Sequence, residues 1–141
     1  MDKNLKRSII MDHASHPKNK GLFDDPRYIL IDANTDSCND DIKLMVLIED
    51  GIIKDVHFDG LACVICTSST SIMINTLIGK TLEEAKQIYT NFDNMINEKE
   101  YDPEILQEAI VYDDIYQQPN RKKCALLPWW GIEKAIKSEE K

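Results

Sequence analysis

Apolar and polar positions along this chain follow two periods, and the switches between them mark out the elements. Leu5, Ile9 and Ile10 recur at helical spacing in a polar stretch that Pro17 bars from continuing, so residues 2–15 predict a short amphipathic helix. After a loop with Asn19, Gly21 and Pro26, residues 28–32 are rich in β-branched and aromatic side chains and predict a strand. Residues 42–49 and 52–58 are separated only by Asp50-Gly51, whose preference for positive φ favours a tight antiparallel hairpin. From residue 64 to 78 the pattern Ile65, Ile72, Met73, Leu77, Ile78 is helical, and Gly79 ends it.

Helical signals continue to the end of the chain. Thr81 and Glu84 have capping-box spacing and open a helix expected to reach about Thr90. Asp102-Pro103 supplies an N-cap followed by proline at the first helical position. Pro128 would clash with the carbonyl four residues back if it lay deep inside a helix, so the last helix is expected to start near residues 124–126 and run to about 137. Three strands followed by helices predict an α+β fold: an N-terminal helix, a three-stranded antiparallel sheet, then several helices on one sheet face. No repeat or linker divides residues 1–141, which predict a single domain.

At 141 residues the chain is long enough to bury a core without disulfide staples. No run approaches the roughly 20 apolar residues that span a bilayer. No apolar block resembling an export signal follows the start, so a soluble, cytoplasmic protein with reduced thiols is expected. Acidic residues outnumber basic ones by 25 to 17, and the resulting field argues against nucleic acid and for a protein partner or a cation.

The chemistry lies in four cysteines, Cys38, Cys63, Cys66 and Cys124, with Asp40 beside the first. Cys38 falls in a polar loop. Cys63 directly precedes a predicted helix, and the expected start of the last helix gives Cys124 the same setting, where unpaired N–H groups favour a thiolate. Cys38, Asp40, Cys63 and Cys124 offer three sulfurs and an oxygen, a set suited to zinc or an iron–sulfur cluster. Cys63 and Cys66 also form a C-x-x-C, the spacing of a redox pair. On spacing alone, metal ligation, a redox dithiol and incidental buried cysteines all remain open.

Several segments together resemble the U-type proteins of iron–sulfur cluster assembly, over nearly the whole chain. Ile10-Met11-Asp12-His13 and Pro17-Lys18-Asn19-Lys20-Gly21 are similar to that family's opening segment. Cys38-Asn39-Asp40 is similar to its first-ligand motif Cys-Gly-Asp, and Phe58-Asp59-Gly60-Leu61-Ala62-Cys63 to its second. Arg121-Lys122-Lys123-Cys124-Ala125-Leu126-Leu127, followed by Trp129, is similar to its third. The 61 positions from Cys63 to Cys124 exceed the IscU-type interval, and Lys123 stands where IscU-type proteins have histidine. Both features resemble the SufU type. The chain departs from the family pattern at Asn39 and Ala62, which replace glycines, at Ala14, at Pro128, and at Cys66, where serine is usual.

The resemblance implies zinc held by Cys38, Asp40, Cys63 and Cys124, and a role as sulfur acceptor for a SufS-like, PLP-dependent cysteine desulfurase. A partner histidine would displace Cys38 from the metal, freeing it to take the persulfide sulfur for downstream iron–sulfur assembly proteins. Cys38 is then the carrier. Arg121 is the candidate to orient Asp40 or the incoming sulfur, with a surface salt bridge as its plain alternative. The chain would assist an enzyme as a sulfurtransferase-like accessory. Two other functions stand beside this one: a scaffold for a labile [2Fe-2S] cluster, or an interaction module with structural zinc. Cys66 is expected to pack in a helix, His13, His16 and His57 to be ordinary polar residues, and one of Trp129 and Trp130 to be core.

Overall fold

The computed structural model describes residues 1–34 and 40–140. Helix α1 spans Lys3–Ser15, capped by Asp2, whose carboxylate accepts the Leu5 N–H at 2.8 Å. Strands β1 (Ile29–Asn34), β2 (Asp41–Glu49) and β3 (Ile52–Leu61) form an antiparallel meander in the order β1-β2-β3. Asp50 and Gly51 take φ of 57° and 71°, the doubly left-handed turn that matches strand twist. Helices α2 (Val64–Leu77), α3 (Leu82–Ile96) and α4 (Pro119–Glu139) follow, with 3₁₀ segments at Glu104–Tyr112 and Ile115–Gln117 before the last.

One sheet face makes the core. Ile42, Leu44, Val46, Val56 and Phe58 are buried there, and α2 and α4 pack over them. Alternation along the strands turns Met45 and His57 to the opposite face, where Phe23 and Tyr28 meet His57 in edge-on ring contacts. Burial and a 2.6 Å hydrogen bond to Asp55 push the Tyr28 phenol up to about 12. The segment at Asn19–Gly21 runs along the free edge of β3, where the Gly21 N–H donates to the Phe58 carbonyl at 2.7 Å. Helix α2 is central, buried along most of its length. Its run of small hydroxyl residues allows close approach, and each buried hydroxyl finds a partner: Thr70 and Thr76 donate to carbonyls one turn back, and Ser71 binds His13 and the Lys18 N–H.

Three helical expectations need correction. Helix α3 keeps its capping box but extends to Ile96 rather than Thr90, because Phe92, Met95 and Ile96 prolong the face begun by Ala85 and Ile88. The segment after Asp102-Pro103 begins where expected, with Asp102 accepting the Glu104 N–H at 3.0 Å, yet it is 3₁₀ and broken at Gln107, where φ is 51°. Helix α4 starts at Pro119, five residues before Cys124, and carries Pro128 in its interior.

The last correction has a tertiary cause. A proline in a helix removes one N–H and crowds the carbonyls of the preceding turn. Here the Ala125 carbonyl accepts the Ser69 hydroxyl at 2.6 Å, and the Trp129 indole N–H donates to the same hydroxyl at 3.1 Å. One serine of α2 thus ties the helix to its neighbour on both sides of Pro128. Trp129, 2% exposed, stacks on Phe92 at 4.3 Å with 15° between rings, and Trp130 is half-buried.

Candidate metal centre

The register of β2 and β3 creates the first half of the site. Asp41 pairs with Leu61 at the end of the hairpin remote from its turn, so Asp40 and Cys63 leave the same end of the strand pair. Gly60, at φ +130°, makes that closure possible: a Cβ there would lie 2.3 Å from the Asp41 carbonyl oxygen and 2.9 Å from Ile42 Cα. Only glycine lets the two backbones touch at this point.

Cys63 is the N-cap of α2. Its sulfur accepts the Cys66 N–H at 3.4 Å, the place that a serine or threonine oxygen takes in an ordinary cap. The buried Asp40 carboxylate is oriented by the same residue. One oxygen accepts the Cys63 N–H at 2.7 Å, and the other receives the Cys63 thiol at 3.4 Å. Cys124 arrives from α4, buried, with its thiol 3.8 Å from the Asn120 carbonyl. It lies in the second turn of that helix, not at its N-terminus as expected, because α4 begins at Pro119.

One ligand atom from each of Asp40, Cys63 and Cys124 lies within 4.8 Å of the other two. Two sulfurs and an oxygen converging from three separate elements fit a tetrahedral zinc ion lacking one ligand, and a buried carboxylate is more stable beside a cation. Cys38 and Asn39 lie outside the described residues. Arg121 is exposed in the first turn of α4. Cys66 is fully buried in the core, as the packing expectation had it.

The histidines lie away from this group. His13 bridges Ser71 and Glu108, His57 pairs with Asp55 at 2.8 Å, and His16 is exposed near Asp12.

Sequence reasoning missed two features of the surroundings. Leu61 is 78% exposed and Val64 47%, giving Cys63 an apolar rim that binary patterning reads as the ends of a strand and a helix. The buried Tyr112 hydroxyl meets Ser68 beneath the cysteines, and burial pushes its phenol well above the ordinary tyrosine range. Tyr112 sits in an irregular 3₁₀ stretch, so no periodicity announced it.

The family model for the NifU-like N-terminal domain matches residues 5–138. This chain belongs to that family. It is 36% identical over 137 residues to the zinc-dependent sulfurtransferase SufU of Bacillus subtilis, covering 96% of this chain and 92% of the relative. To the iron–sulfur cluster assembly scaffold protein IscU of Thermotoga maritima it is 33% identical, covering 96% and 94%. Its fold is similar to a crystal structure from Fervidobacterium islandicum AW-1 assigned to cluster-assembly scaffolding in the SUF system, with TM-score 0.86, 36% identity and coverage of 91% and 93%. The SufU-like resemblance and the α+β architecture both hold. Among the described residues of this family member, no helix is long and apolar enough to cross a membrane.

Proposed function

We propose that this chain accepts persulfide sulfur from a PLP-dependent cysteine desulfurase and relays it to cytoplasmic iron–sulfur assembly proteins, with zinc held by Cys38, Asp40, Cys63 and Cys124. The observation that carries this reading is the convergence of Asp40, Cys63 and Cys124, with Asp40 fixed by the Cys63 N–H. The 36% identity to a protein named a zinc-dependent sulfurtransferase supports it. Zinc bound there would supply charge that keeps its cysteine ligands deprotonated near neutral pH.

The chain's own groups do the rest. The Cys38 thiolate attacks the terminal sulfur of the desulfurase persulfide. A new S–S bond forms on Cys38 as the old one breaks, and the desulfurase cysteine departs as a thiolate. Asp40, Cys63 and Cys124 stay behind as the remaining ligands, and exposed Leu61 and Val64 offer apolar surface that the enzyme would cover, excluding water from the transfer. Arg121, one turn before Cys124, is proposed to orient the incoming sulfur.

The test measures cysteine turnover by a SufS-like desulfurase with and without the zinc-loaded protein. Stimulation that is lost in Cys38→Ser, with persulfide found on Cys38 of the wild type by mass spectrometry, is the expected result. Unchanged turnover, or full sulfur uptake by Cys38→Ser, overturns the proposal. A scaffold for a [2Fe-2S] cluster is the second reading, favoured by the IscU-named relative. Anaerobic reconstitution that builds a stable iron–sulfur chromophore without desulfurase stimulation would select it. Zinc uptake without either effect would leave a structural zinc module.

A further inference from the structure

Cys66 is the cysteine that this function does not use, and its position relative to Cys63 is specific. Cys63 caps α2 and is half-buried, whereas Cys66, three residues on, is fully enclosed. The Cys63 sulfur rests 3.4 Å from the Cys66 backbone nitrogen, so it lies over the residue that bears the second thiol. A reachable outer sulfur at a helix N-terminus and an enclosed inner one in the same turn form the arrangement of a dithiol that exchanges with external disulfides. Closing it requires side-chain rotation within one turn of α2. The Cys124 sulfur, within 4.8 Å of that of Cys63, is the competing partner and is carried on a different helix.

We propose that Cys63 and Cys66 form a thiol–disulfide exchange site whose reactant is a low-molecular-weight disulfide. The Cys63 thiolate attacks one sulfur of that disulfide, and half of the reactant leaves as a thiolate while the other half is held on Cys63. The Cys66 thiolate then attacks the Cys63 sulfur, forms the Cys63–Cys66 bond and expels the second half. Two protein thiols are oxidised and one external disulfide is reduced to two thiols. Burial of Cys66 is no obstacle, because its partner is delivered within the same turn. Oxidation removes Cys63 from the group with Asp40 and Cys124, so the exchange site and the proposed zinc site exclude each other.

The experiment uses metal-stripped full chain and oxidised glutathione, followed by tryptic digestion without reductant. Residues 55–80 form one tryptic peptide that holds Cys63 and Cys66 and no other cysteine. The expected product is that peptide lighter by two hydrogen atoms, with no glutathione attached. Cys66→Ser and Cys66→Ala should both stop at glutathione retained on Cys63, and circular dichroism of the two variants verifies folding. Cross-links from this peptide to Cys38 or Cys124, or glutathione retained on wild-type Cys63, overturn the proposal. Free zinc at about 100 times its Kd should slow closure about 100-fold by withholding Cys63. An unchanged rate would overturn that exclusion and zinc ligation by Cys63, while a disulfide found in metal-free protein would still establish the exchange site.

Discussion

Cys63 and Cys124 supply the same atom to the same place by opposite means. Cys63 stands at a helix end, held by one strand terminus, one capping contact and the Asp40 carboxylate. Cys124 stands inside a helix, 2% exposed, one turn before a proline, with Trp129 and Ser69 bracing the backbone beyond it. One sulfur is placed by hydrogen bonds that a small rotation can break. The other is placed by core packing that only unfolding can move. The site thus joins an adjustable side to a rigid one, and each side should answer differently to substitution.

The largest effect is expected where the rigid side is anchored. Trp129→Ala removes the stack on Phe92 and the hydrogen bond to Ser69, and should cost about 3–5 kcal/mol in urea unfolding of the metal-free protein. Zinc affinity should fall with it, since Cys124 rides on the same helix. Affinity unchanged in a destabilised variant would mean that α4 does not set the position of Cys124. Ser69→Ala leaves two buried polar groups, the Ala125 carbonyl and the Trp129 indole, without this partner, for about 1–3 kcal/mol. A loss within error would show that α4 does not depend on this anchor.

The smallest effect separates the two cysteines directly. In metal-free protein, Cys63→Ser should be neutral or slightly stabilising, because serine is a preferred N-cap and its oxygen can accept the same N–H. Cys124→Ser exchanges a buried thiol for a smaller, more strongly hydrated hydroxyl in the packed interior of α4 and should cost about 1 kcal/mol or more. Both variants should lose tight zinc. Equal urea midpoints would erase the proposed contrast between the two sides.

Much of this could be read from residues alone, for reasons that differ by element. The Asp50-Gly51 turn pairs Glu49 with Ile52 and Ile48 with Ile53 as a tight hairpin should, but a register shift at Leu47 then pairs Asp41 with Leu61 rather than Gly60, so the dipeptide announced the hairpin and not the alignment at the site. The Thr81–Glu84 capping box formed because both partners are local. What escaped the sequence depended on distant partners. Pro128 reads as a helix start until Ser69, nearly 60 positions away, anchors the helix around it. The end of α3 was placed too early because Phe92, Met95 and Ile96 gain their value only from packing against later segments. The ligand set itself followed from resemblance to cluster-assembly proteins, since spacing alone left a redox pair and inert thiols open.

Gly60 makes the site independent of side-chain size. Because the two strands meet there main chain to main chain, the distance between the Asp40 and Cys63 attachment points is set by peptide geometry rather than by the size of any side chain. Substitutions in the interior leave this gauge unchanged, whereas any side chain at position 60 would force the strands apart. The hydrophobic interior is free to evolve, and the spacing that chemistry needs is inherited from the backbone.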